Sequence, residues 1–241
     1  MNPIKALRMR RTAASGGDPY WSNVVLLSGF NGSNGSTAFS DESASARALT
    51  ANGNAQLDTS QFKFGASSLL LDGTGDYASA ADSADWDFGA GQFTVEAFIR
   101  RSSATANWGI VTQWDSTLTD AAWALYVSSN NLYFTYYDTG PALHDVGPFA
   151  FSPTVGTWYH VAADRDAAGK IRTYVDGVMA SSFAATSQII KGSGSQLRLG
   201  ALQGFSFDFP GWQDEVRITK GVARYASDSG FTVPTAAFPR S

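Results

Sequence analysis

The chain is predicted to be all-β, two antiparallel sheets packed as a sandwich, and three observations predict it. The run from Gly156 to Ala180 reads as three strands joined by two tight turns. Asp176-Gly177 is the pair favoured in a two-residue type I′ hairpin, where both central residues need positive φ. The earlier connection, Asp166 to Gly169, places Gly where a left-handed residue is needed. Second, the 21 acidic residues include only three Glu, namely Glu42, Glu96 and Glu215. Asp favours caps and turns whereas Glu favours helices, so this acidic set suits strands and loops. Third, short apolar runs alternate with turn residues from Trp21 onward, and no segment shows a sustained 3.6-residue period.

In chain order, strands are predicted at Val24–Phe30, Ser68–Asp72, Tyr77–Ala80, Phe93–Arg100, Gly109–Trp114, Ala122–Val127 and Leu132–Tyr137. Further ones follow at Trp158–Asp164, Lys170–Val175, Val178–Ser181, Gln196–Leu199 and Gly211–Ile218. In the fourth of these, Phe93, Val95, Ala97 and Ile99 share one face and Thr94, Glu96, Phe98 and Arg100 the other, which predicts one buried face. Lys220–Tyr225 is expected to make at most one helical turn, and 226–241, with Pro234 and Pro239, an extended tail along the body.

The first 17 residues hold Lys5, Arg8, Arg10 and Arg11 and no acid, which leaves 13 basic against 21 acidic groups in the remainder. A basic arm (1–20) therefore precedes an acidic body (21–241). The arm's large apolar groups, Ile4, Leu7 and Met9, cannot form a core of their own, so it reads as a segment docking on a partner, with a solvated tail as the plain alternative. Four charges without interleaved aromatics make a small footprint for nucleic acid, which is not expected as a partner. No apolar run reaches the roughly 18 residues of a membrane span. Nor does an apolar stretch follow the N-terminal charges, so no secretory leader is expected. The absence of Cys excludes disulfides and thiolate chemistry.

Trp158-Tyr159-His160-Val161-Ala162, Arg165 and Tyr174-Val175-Asp176-Gly177 resemble the meander of laminin G-like domains, within the concanavalin A-like lectin/glucanase group. Phe64-Gly65-Ala66-Ser67-Ser68 with Leu71-Asp72-Gly73, Phe93-Thr94-Val95-Glu96, and Gly211-Trp212-Gln213-Asp214-Glu215-Val216-Arg217-Ile218 are similar to other strands of that family. The resemblance implies a two-sheet antiparallel jelly-roll sandwich. Asp18-Pro19-Tyr20-Trp21 at the front, with Ile218 to Tyr225 and Phe231 to Pro239 at the back, looks like a form common in tailed-bacteriophage proteins. That implies a virion protein, made in the host cytoplasm, oligomeric in the particle and joined to other virion proteins through Ile4, Lys5, Leu7, Arg8, Met9, Arg10 and Arg11. A tail position contacting host-surface glycan is the first expectation. A head decoration protein, and a free carbohydrate-binding module or glycan hydrolase, are the alternatives.

Catalytic residues are not expected. Laminarinase-type members of the group set carboxylates on one strand face as Glu-x-Asp-x-Glu, which three scattered Glu cannot supply. Asp164 and Asp166 share a strand face, but fall where the meander turns and are expected to be solvated. His144 and His160 have no Ser or Cys nucleophile nearby in sequence, and no phosphate loop or His-Glu-x-x-His helix occurs. Two sites are expected instead. By the resemblance, Asp214 and Asn31 stand where relatives hold structural calcium; an Asp214 bonded to loop amides is the alternative. Sugar rings stack on flat aromatic faces, and Trp108 and Phe207, in loop-like segments, with His144 close by, are the candidates for a glycan site.

Overall fold

Period-two patterning becomes two large antiparallel sheets in the computed structural model, which describes residues 17–241. The docking residues Ile4, Lys5, Leu7, Arg8, Met9, Arg10 and Arg11 lie outside the described residues. The first sheet runs β14 (Val178–Phe183), β13 (Ile171–Val175), β12 (Trp158–Arg165), β7 (Phe93–Arg101), β18 (Pro210–Lys220), β5 (Ser68–Asp72) and β4 (Gln56–Asp58). β1 (Val24–Ser28) pairs with β18 as well. The second sheet runs β11 (Leu143–Ala150), β10 (Asn131–Tyr137), β9 (Trp123–Ser128), β8 (Trp108–Gln113), β15 (Leu197–Leu199), β6 (Tyr77–Ala80), β3 (Ala48–Asn52) and β2 (Ala38–Ser40). β16 (Ala201–Leu202) and β17 (Phe207–Asp208) form a separate hairpin. Strand makes up 45% and helix 3%, so the molecule is an all-β sandwich of the jelly-roll kind.

The predicted meander is present. Val175 pairs with Val178 across Asp176 (φ 46°) and Gly177 (φ 77°), the two positive angles of the hairpin that Asp-Gly favours. Leu26, Val95, Ile99, Trp123, Leu125, Phe134, Val161, Val216 and Ile218 fill the space between the sheets. Phe88 stacks on both Phe93 (4.3 Å) and Trp123 (4.9 Å), linking the two layers.

β7 is buried along both faces, not one. The chain after β18 explains this. Residues 221–241 cross the outer face of the first sheet as an extended strap, and Lys220–Tyr225 forms no helical turn. Tyr225 and Phe231 stack with centroids 3.5 Å apart, and Phe238 joins Val24, Leu27 and Phe98 in a second apolar cluster. The charged groups beneath are paired. The Glu96 carboxylate accepts from Arg217 Nε (2.8 Å), His160 Nε2 (3.0 Å) and the Tyr225 hydroxyl. Asp18 accepts from Arg217 (3.1 Å) and Arg224 (2.7 Å), so a residue counted with the arm is tied into the body.

Asp164 also differs from expectation. It is fully buried under the strap, where it accepts from Ala226 N (2.6 Å) and the Tyr174 hydroxyl (3.3 Å). Only Asp166 takes the turn role, accepting from Ala168 N and Lys170 N.

Candidate ligand-binding groove

In β9, Trp123, Leu125 and Val127 face the core, so alternation turns Ala124, Tyr126 and Ser128 outward. In β10, Leu132, Phe134 and Tyr136 are inward, leaving Tyr133, Thr135 and Tyr137 outside. Paired register puts Tyr133 opposite Tyr126, and their rings stack at 5.5 Å. Beside them the β16–β17 hairpin, whose tip turns at Gly204 (φ 88°) and Ser206 (φ 48°), carries Leu202, Phe205 and Phe207. Phe207 approaches Tyr126 (6.3 Å) and Phe205 (5.6 Å), while Trp114 lies against Tyr137 at 5.5 Å.

Together with Leu118 and Leu143, the side chains of Trp114, Tyr126, Tyr137, Leu202, Phe205 and Phe207 line a cavity of about 200 Å³ on the outer face of the second sheet. Its walls are aromatic and aliphatic. Polar groups are few: Thr135 Oγ1 donates to Asp145 (2.5 Å) and lies 3.2 Å from the Tyr126 hydroxyl. Burial raises the pKa of Tyr126, so its phenol stays neutral and able to donate. A small apolar concavity with a few oriented hydroxyls suits a ligand with one flat apolar face and a polar rim. Leu118, Leu143 and Phe205 stay exposed at its rim although apolar.

Of the three glycan candidates, only Phe207 reaches this groove. Trp108 is fully buried, because β8 begins at that residue and points its indole inward. The ring packs against Phe209 (5.2 Å) and Phe151 (6.1 Å), leaving no face for a ligand. His144 sits on β11 but faces away from the groove that its neighbour Leu143 lines. It stacks on Tyr136 (5.0 Å) and bonds Asp138 (2.9 Å). Tyr126 was missed, although the alternation Trp123, Leu125, Val127 already implied an outward residue between them.

Asp214 and Asn31 clamp one loop. Asp214 Oδ2 accepts from Lys63 N (2.7 Å) and Phe64 N (3.0 Å), its Oδ1 accepts from Glu215 N (2.8 Å), and Asn31 Oδ1 accepts from Ala66 N (2.9 Å). Burial pushes the Asp214 carboxyl up to about 7 despite these donors. A calcium cage needs six to eight oxygens, several of them charged. Here the oxygens are occupied by N–H groups, and the described residues contain no cluster of three His, Cys, Asp or Glu able to hold a metal. This donor set fits a loop clamp and does not fit calcium.

Residues 72–225 match the family model described as the concanavalin A-like lectin/glucanases superfamily. The chain belongs to this superfamily. Solved structures similar to this concanavalin A-like domain include the binding domain of Paraclostridial Mosquitocidal Protein 1 (14% identity, TM-score 0.65, 85% of this chain and 50% of that one). The receptor binding domain of botulinum neurotoxin D (15%, 0.62, 85% and 51%) and that of botulinum neurotoxin type G (12%, 0.61, 83% and 49%) are also similar. The chain thus spans about half the length of these neighbours, and at such identities the likeness is one of fold. No curated protein matches the sequence.

Proposed function

We propose that this concanavalin A-like domain is a non-catalytic binding module that takes a glycan in the aromatic groove. The observation that carries this reading is the convergence of Trp114, Tyr126, Tyr137, Phe205 and Phe207 around one concavity. A cavity of about 200 Å³ suits one sugar ring, stacked through its apolar face. The two botulinum neurotoxin neighbours are receptor-binding domains, which supports a recognition role on a similar fold. Retaining glycoside hydrolysis needs two carboxyl groups about 5–5.5 Å apart, and no Asp or Glu is among the groove's lining residues, which favours binding over turnover.

The resemblance of both flanks to tailed-bacteriophage proteins extends the proposal. The domain is part of a virion, placed at the tail and presented to host-surface glycan, with residues 1–20 docked on other virion proteins. Chain polarity favours such display. Arg217 alternates with core-facing Val216 and Ile218, so Asp18 and Ser241, bonded at 2.5 Å, lie on the outer face of the first sheet. The groove lies on the outer face of the second. The segment before Asp18 can therefore be tethered while the groove looks away.

A glycan array probed with the whole chain tests the reading. A restricted set of saccharides should bind the wild type and be lost by Tyr126→Ala, with no hydrolysis products. Uniform blanks, or binding indifferent to Tyr126→Ala, would contradict it.

A further inference from the structure

A second concavity, of about 410 Å³, opens between the β12–β13 turn, the chain following β14 and Ala90. Its walls are Ala167, Ala168 and Gly169 on one side and Ala185, Thr186 and Ser187 on the other, so no large side chain occupies it. A Cβ on Gly169 would lie 2.0 Å from Thr186 O, showing that the two walls meet backbone to backbone.

The remaining lining residue is Arg165, only 1% exposed. Its guanidinium donates to three carbonyls, Gly89 O (2.9 Å), Thr186 O (3.1 Å) and Gln188 O (2.7 Å), and its Nε has no partner. Arg172, Arg217, Arg224 and Arg240, in contrast, each meet carboxylates. The adjacent Asp166 is turned to Arg172 (2.8 Å) and to amides of its own turn. Arg101 shares the lack of a carboxylate, but packs beside the Trp108 ring, its two terminal nitrogens held by Thr105 O and Pro153 O. A buried guanidinium is costly to leave without a counter-charge, and carbonyl dipoles neutralise it only in part. Burial lowers the pKa of Arg165, with Tyr136 and Asp166 nearby offsetting it only in part.

We propose that this pocket binds a single oxyanion group, a carboxylate or a sulfate, with Arg165 supplying the counter-charge at its floor and the Thr186 and Ser187 hydroxyls at its mouth. Three of its N–H groups are taken by carbonyls, so the guanidinium meets such a group through its charge and its unpartnered Nε–H. The small walls leave room for whatever carries the group, including an acidic sugar or an acidic side chain.

Amide NMR titration of the full chain with sodium sulfate and sodium acetate, against sodium chloride at equal ionic strength, tests this directly. Saturable shifts at Ala167, Ala168, Gly169 and Ser187 are expected with at least one of the two oxyanions and not with chloride. Glucuronate against glucose then separates a carboxylate on a sugar from the free ion. Arg165→Lys, which keeps the charge but loses the unpartnered Nε–H and the guanidinium's anchoring bonds, should weaken binding about tenfold. If that variant fails to fold, Ala168→Asp at the mouth should abolish the shifts while the rest of the spectrum is kept. Absence of saturable shifts with both oxyanions, or binding undiminished in Ala168→Asp, would overturn the proposal. Tyr126→Ala should leave oxyanion binding intact, so the groove and this pocket can fail separately.

Discussion

Tyr126 and Phe207 line one concavity from two different elements, so each is expected to lower glycan affinity about tenfold or more when replaced by Ala. Trp108 supplies the contrast. Trp108→Phe should lower the melting temperature through lost packing yet leave affinity unchanged, because the indole touches only core. A matched fall in affinity and stability for Trp108→Phe would mean that the groove depends on the core beneath it. For Asp214, a chelator should leave the melting curve where it is. Asp214→Ala should cost about 1–3 kcal/mol for each loop amide left buried without an acceptor, read by denaturant unfolding. Calcium-dependent melting that Asp214→Ala removes would restore the ion. What sequence could tell about these residues was parity. Alternation within Phe93–Arg101 was legible, whereas the facing of His144 was not, since β11 carries Gly147-Pro148 and lacks a clean alternation of apolar residues.

The strap behaves as a cover for charge. Burial alone would raise Glu96, but the Arg217 guanidinium, with His160 and Tyr225, holds its carboxyl well below the usual range. Arg217→Met would remove the main counter-charge of the buried Glu96, leaving His160 and Tyr225 as its donors, and should cost about 3 kcal/mol. The pH profile follows from opposite signs. Asp164 and Asp214 are pushed up, mainly by burial, to about 6 and about 7. The native state therefore holds protons that the unfolded chain releases near pH 4, and their contribution is full below about 4 and lost as pH rises through 6 and 7. Glu96, shifted down, contributes above its unfolded value, near 4, and is lost as pH falls below it. Stability should thus peak near pH 4, measured by urea midpoints from pH 3 to 8. A midpoint that rises steadily from pH 5 to 8 would contradict the buried, proton-binding state of these two carboxyls. Strands with strong alternation or Asp-Gly turns were legible, whereas β3 (Ala-Leu-Thr-Ala-Asn) and β11 were not, because pairing with neighbours rather than local preference makes them strands. The double burial of β7 was invisible for the same reason: its cover comes from more than a hundred residues later in the chain.

The proposed tether lies on one face and the proposed groove on the other, which makes the two ends of the proposal separable. Removing residues 1–16 keeps Asp18 between Arg217 and Arg224, so the truncated chain should fold, melt nearly unchanged and still bind glycan, yet fail to enter particles. Full occupancy of particles by the truncated chain would show that the arm is a passenger. The sandwich itself was legible because meander, turns and acidic composition all point the same way. The groove was legible only in part, because it is assembled from strands β9 and β10 and a hairpin some seventy residues on. The most direct measurement is amide and aromatic NMR mapping of a saccharide that scores on the array, titrated into the intact chain. Shifts should be saturable and concentrated at Trp114, Tyr126, Tyr137, Phe205 and Phe207; saturable shifts gathered elsewhere on the sandwich, with this set unmoved, would contradict the groove as the binding site.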